Sequence, residues 1–92
     1  MAVQVRVPVI LRRYTDDARV VEGKGDTLDE LFLDLEARFP GIRGDIVADG
    51  ALARFINIYV NDEDVRFLGA LSTPIADGDT VTILPAVAGG MR

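Results

Sequence analysis

Thr80-Val81-Thr82-Ile83-Leu84, closed by Pro85, is the stretch on which the fold turns. Its residues are β-branched or apolar, and the turn Asp77-Gly78-Asp79 precedes it, so it reads as the last strand of the chain. Far from it, Val3, Val5, Val7, Val9 and Leu11 alternate with Gln4, Arg6, Pro8, Ile10 and Arg12. That period of two predicts a half-buried first strand. Pro8 cannot donate to a ladder, so its side of the strand is expected to face away from a partner. The last strand is expected to lie beside the first, in parallel.

The segments between these strands set the architecture. Tyr14 to Asp17 reads as a polar turn and Ala18 to Glu22 as a returning strand, giving an N-terminal hairpin with Gly23 and Gly25 loosening its exit. Thr27-Leu28-Asp29-Glu30 is a capping box: the Thr27 hydroxyl can accept from the Glu30 amide, and the Glu30 side chain can reach back. Asp29 and Glu30 suit the positive end of a helix dipole. Leu28, Leu31, Phe32, Leu35 and Phe39 fall at helical spacing, with Asp29, Asp34, Glu36 and Arg38 opposite. A helix is predicted over Thr27 to Phe39, stopped by Pro40-Gly41. Ile42 to Val47 reads as a further helical turn and Asp49-Gly50 as a loop. Phe55 to Val60 is a strong strand, turned by Asn61-Asp62 into a short strand at Asp64-Val65-Arg66. Leu68 to Ile75 is irregular. The sum is an α+β chain of the β-grasp type: a mixed sheet of four to five strands with one main covering helix. Residues 1–85 are expected to form the domain and 86–92 a flexible tail.

Composition narrows the chemistry. The 92 residues suffice for one domain, and 49% are hydrophobic, which argues against disorder. The formal charge of -5 repels a phosphate backbone, so no nucleic-acid partner is expected, and a protein with a basic patch fits better. There is no cysteine and no histidine. Thiol chemistry is excluded, the commonest general base is missing, and a zinc site would need carboxylates alone. No metal site, no bound cofactor and no catalytic side chain are expected. The N-terminus lacks the basic start and apolar run of a signal peptide, and no stretch is long enough to span a membrane, so a cytoplasmic protein is expected. Lys24 is the only lysine.

The tail, Ala86-Val87-Ala88-Gly89-Gly90-Met91-Arg92, carries the functional signal. Adjacent glycines remove both β-carbons, and such a backbone can thread a narrow channel and present a carboxylate there. A Gly-Gly pair by itself is unspecific. Here it follows directly on the last strand of a β-grasp sheet.

At this point the chain resembles a known family, the ThiS/MoaD-type ubiquitin-like sulfur carriers, and within it the CysO-type carriers of cysteine biosynthesis. The resemblance runs over nearly the whole length. It is strongest in Phe55-Ile56-Asn57-Ile58-Tyr59-Val60-Asn61-Asp62-Glu63-Asp64-Val65-Arg66-Phe67, in Ile75-Ala76-Asp77-Gly78-Asp79 and in Val81 to Gly90. Gly25-Asp26-Thr27-Leu28 and Asp34-Leu35-Glu36 also match. The resemblance implies a carrier, not an enzyme. An E1-like enzyme would adenylate the Gly90 carboxylate with ATP, and a sulfur donor would displace AMP to leave a thiocarboxylate. Val87, Ala88 and Gly89 would thread the partner's channel. A PLP-dependent cysteine synthase, or another acceptor enzyme, would take the sulfur, and a zinc-dependent protease would release the product. Two other roles belong to the same resemblance: small subunit of molybdopterin synthase, and ubiquitin-like protein modifier.

The chain departs from the family's pattern by running on to Met91-Arg92. A carboxylate two residues downstream cannot place sulfur on Gly90, so removal of Met91-Arg92, by a zinc-dependent protease, is expected first. Strand alternation turns Leu84 away from the core, beside the tail, which marks it as a docking contact with Pro85. Ile10, on the outer side of the first strand, is expected nearby.

Overall fold

A computed structural model describes residues 2–85. Within them a five-stranded mixed sheet carries the chain, in the order β2-β1-β7-β5-β6. β1 (Val3–Arg6) runs antiparallel to β2 (Val20–Gly23) and parallel to β7 (Thr80–Pro85). β7 is antiparallel to β5 (Ile56–Val60), which turns back into β6 (Glu63–Asp64). The last strand therefore lies beside the first, as its apolar pattern predicts, and in the middle of the sheet. Ile58 and Ile83 are register partners, as are Val60 and Val81, and all four are buried.

α1 (Leu28–Arg38) covers this face with Leu28, Leu31, Phe32 and Leu35, each fully buried among Val3, Val5, Ile58 and Ile83. Its start is built as the sequence predicts: the Thr27 Oγ1 accepts from the Glu30 amide at 3.3 Å. The Glu30 carboxylate reaches back one residue further than the box requires, to the Asp26 amide at 3.0 Å. Gly41, at φ 99°, ends the turn after α1 and opens α2 (Ile42–Ile46).

Three segments differ from the sequence expectation. The first strand stops at Arg6 instead of running to Leu11, and Val9–Tyr14 form a 3-10 helix. The cause is Pro8: it brings no N–H for a ladder, and its carbonyl instead accepts the Leu11 amide at 3.0 Å. Val7 still follows the alternation of Val3 and Val5, its amide donating to the Arg19 carbonyl at 2.8 Å, whereas Leu11 is buried from the 3-10 helix. Asp64-Val65-Arg66 is a strand only to Asp64, whose carboxylate accepts the Arg66 amide at 2.9 Å and caps a second 3-10 turn, Val65–Phe67. A small hairpin, β3 (Val47–Ala48) and β4 (Ala51–Leu52), forms where only a loop was expected. Asp49 and Gly50 both take positive φ, the pair that a two-residue hairpin turn demands.

Candidate functional site: the end of the last strand

β7 leaves the sheet between β1 and β5, so whatever follows Pro85 starts from the centre of the fold. Alternation along β7 buries Val81 and Ile83 and turns Thr80, Thr82 and Leu84 to the outer face. Leu84 pairs in register with Asn57 and is 45% exposed, so it faces away from the core as strand alternation predicts. Pro85 is the last residue of β7 and pairs with Ile56. The predicted working residues Gly90, Val87, Ala88, Gly89, Met91 and Arg92 lie outside the described residues.

Two clefts flank this strand end. One, of about 320 Å³, is lined by Leu84, Thr82, Val20, Arg6, Arg12 and Arg19 among others. The other, of about 220 Å³, includes Ile10, Leu11, Phe55 and Ile56. Ile10 is thus on the 3-10 helix after β1, not on the outer face of the first strand, and Leu84 does not line its cleft. It does adjoin Ile56, the register partner of Pro85. The structure adds residues that the sequence patterns did not single out. Val20, at 49% exposure, opens β2 opposite Arg6, and Phe55, at 73%, immediately precedes β5. The signal for Val20 was available in principle: it sits out of phase with buried Gly23 on its strand, but its facing depends on a register set by distant residues.

The charges around the two clefts differ. Beside Ile10, the Arg13 guanidinium donates to the Tyr14 hydroxyl at 3.0 Å and to Asp45 at 2.8 Å, and Tyr14 donates to Asp45 at 2.7 Å. The Tyr14 hydroxyl, and after it the Asp45 charge, hold Arg13 above the ordinary arginine range. Beside Leu84, Arg12 donates its Nε–H to the Val7 carbonyl at 3.1 Å. Among the described residues no carboxylate pairs with Arg6, Arg12 or Arg19; the ion pairs are made by Arg13, Arg38, Arg43 and Arg66. No cluster of three acidic side chains among the described residues could hold a metal ion.

The described end of the sheet gathers half-exposed Leu84 and three arginines beside the last residues of β7. Comparison with known proteins identifies the family. The ThiS family model matches residues 5–90. The sulfur carrier protein CysO of Mycobacterium tuberculosis is 56% identical, over 98% of this chain and the whole of the relative. Small archaeal modifier protein 3 of Haloferax volcanii is 37% identical, over 85% of this chain and 76% of that one. The CysO chain in the crystal structure of the BexX/CysO complex of Amycolatopsis orientalis superposes with a TM-score of 0.92 at 55% identity, covering 97% of this chain and all of that one. The chain belongs to the ThiS family, as a small sulfur carrier protein and not an enzyme.

Proposed function

We propose that this carrier works through the carboxyl group of Gly90, exposed once Met91-Arg92 are removed. The observation that carries this is the family match itself: it spans residues 5–90 and leaves Met91-Arg92 outside. A carboxylate is a poor electrophile. An E1-like enzyme supplies ATP, the Gly90 carboxylate displaces pyrophosphate to form an acyl-adenylate, and the acyl carbon then has AMP as leaving group. Attack by a sulfur donor expels AMP and leaves a thiocarboxylate, a sulfur nucleophile at neutral pH. Val87, Ala88 and Gly89 carry this group into the partner's channel, since small side chains let the backbone pass. Leu84 and Pro85 form the docking contact at the root, with Ile10 at its far edge. The fold contributes position and recognition, while the chemistry belongs to the partners.

The sulfur passes to an acceptor enzyme. The family resemblance implies a PLP-dependent cysteine synthase or another sulfur acceptor enzyme, with a zinc-dependent protease that trims Met91-Arg92 and frees the product. The CysO of the Amycolatopsis complex was crystallised with BexX, so a carrier of this kind has a protein partner. We place the cycle in the cytoplasm because it consumes ATP. A modifier role is the second reading, favoured by the 37% identity to a small archaeal modifier protein. It predicts isopeptide adducts on target lysines.

The decisive experiment incubates two forms, one ending at Gly90 and one full-length, with ATP, a sulfur donor and E1-like enzymes of the source organism. Intact-mass spectrometry should show oxygen replaced by sulfur only in the form ending at Gly90. Conversion of the full-length chain without loss of Met91-Arg92 would falsify the maturation step, and no conversion of either form would remove the carrier mechanism.

A further inference from the structure

We propose that Arg6, Arg12 and Arg19 form a cationic arc that docks this chain, through ion pairs around Leu84, onto an acidic surface of its adenylating enzyme. The proposal rests on the carrier reading and adds the chemistry of the partner surface. The arc is built by the register of the sheet. Arg6 ends β1 on the outer face, opposite Val20 on one side and Thr82 on the other. Leu84 lies two residues beyond Thr82 on the same face, and Arg19 directly precedes Val20. Arg12 comes over from the 3-10 helix, held by its bond to the Val7 carbonyl. The three guanidinium groups thus line one cleft around two half-exposed aliphatic side chains, Val20 and Leu84.

Such a cluster is costly to leave alone, because like charges at close range repel. The chain has an excess of acid, 15 Asp and Glu against 10 Lys and Arg, yet no described carboxylate pairs with these three. Asp77 and Asp79 lie before β7, at the end of that strand opposite Leu84; Asp16 and Asp17 lie in the turn between Arg12 and Arg19, and Asp62 shares a small cleft with Arg6, yet none of these forms an ion pair with the three arginines. The cleft around Leu84 itself is lined by the three arginines and by no carboxylate. An acidic partner would meet this molecule tail first, although the net charge taken alone favours a basic one. An apolar centre with a charged rim is the anatomy of a protein interface, and arginine suits the rim because its fork binds a carboxylate through two hydrogen bonds. A nucleic acid fits less well, since the remaining charge of the molecule opposes it.

Rim charges act mainly on association, so the effect belongs in kcat/KM and its salt dependence, with kcat at saturation unchanged. The test measures adenylation of the chain ending at Gly90 by its E1-like enzyme at increasing salt. Arg6→Glu and Arg19→Glu should each lower kcat/KM by about tenfold or more at low salt and flatten its dependence on salt. Arg66→Glu changes the net charge equally but sits after β6, away from the arc, and should stay within about twofold. Circular dichroism checks each fold, and Arg→Gln replaces any charge-reversed variant that fails to fold. Equal losses in all three variants would overturn the arc in favour of net charge. Loss with Leu84→Glu but none with the Arg6 and Arg19 variants would also overturn it, while the carrier reading and its apolar contact stand. Failure of the unsubstituted chain to be adenylated would instead overturn the carrier reading, and the arc with it.

Discussion

A β-carbon on Gly25 would stand 2.6 Å from the Leu31 amide nitrogen and 2.9 Å from the Glu30 carbonyl carbon. Both atoms belong to the backbone of α1, so no rotamer change can relieve the clash. The strand exit and the helix would have to move apart, opening the contact that buries Leu31. Gly25→Ala should therefore destabilise the chain by about 1–3 kcal/mol, the usual cost of overpacking. Gly44 is the counter-case. It lies inside α2 with open space where a β-carbon would go. Gly44→Ala should gain up to about 1 kcal/mol, because alanine loses less freedom than glycine on entering a helix. In a domain this size each kcal/mol moves the melting temperature by roughly 4–8 °C, so thermal melts will separate the two in sign. If both variants melted with the parent, the close approach at Gly25 would not be real. The sequence marked Gly25 as a loosening residue. That it is a packing constraint depends on Leu31 and Glu30 folding over it, which local patterns do not report.

Among the elements, the link between α1 and α2 gives the sharpest consequence of pH. The Glu36 carboxylate, near the end of α1, accepts the Gly41 amide at 2.8 Å and the Arg43 amide at 2.9 Å, so it caps the next helix. The Gly41 bond first, and the Arg43 bond after it, hold Glu36 below the ordinary glutamate range. A carboxylate depressed in the folded state adds stability above its unfolded pKa, and that stability is lost as pH falls through the folded value. Chemical denaturation from neutral pH downward should show a Glu36-dependent loss that begins in the ordinary glutamate range and finishes below it. Glu36→Gln should lack that part of the acid loss, and an unchanged profile in this variant would refute the cap. The elements also show where sequence patterns reach. The Thr27 cap, the α1 stripe and the turn at Asn61-Asp62 are set within a few residues, and they were legible; at Asp49-Gly50 only a loop was read, not the hairpin. The end of β1 was not: Val3 to Leu11 alternates throughout, and only the helical turn that follows Pro8 reveals which half is strand.

At the scale of the whole molecule, the described core closes around the last strand. β7 is pinned on both sides, by β1 in parallel and by β5 in antiparallel. The family was legible because its resemblance runs over nearly the whole chain. The surroundings of Leu84 were only half legible, because its outward facing follows from alternation on one strand, whereas Val20, Arg6 and Arg19 meet it through the register of three strands and Arg12 through the 3-10 helix. We expect residues 1–85 to be a complete folding unit and residues 86–92 to add function without stability. A chain cut after Pro85 should keep its far-UV spectrum and melt within about 3 °C of the full chain, less than the shift expected from 1 kcal/mol. It should also bind the adenylating enzyme through the face around Leu84, yet accept no sulfur. As a control for the strand itself, Ile83→Ala should cost about 2–5 kcal/mol, since Ile83 is buried against Ile58 and α1. A large melting loss on cutting after Pro85 would mean that the last seven residues belong to the fold, and that the carrier cannot release its tail to a partner without giving up stability.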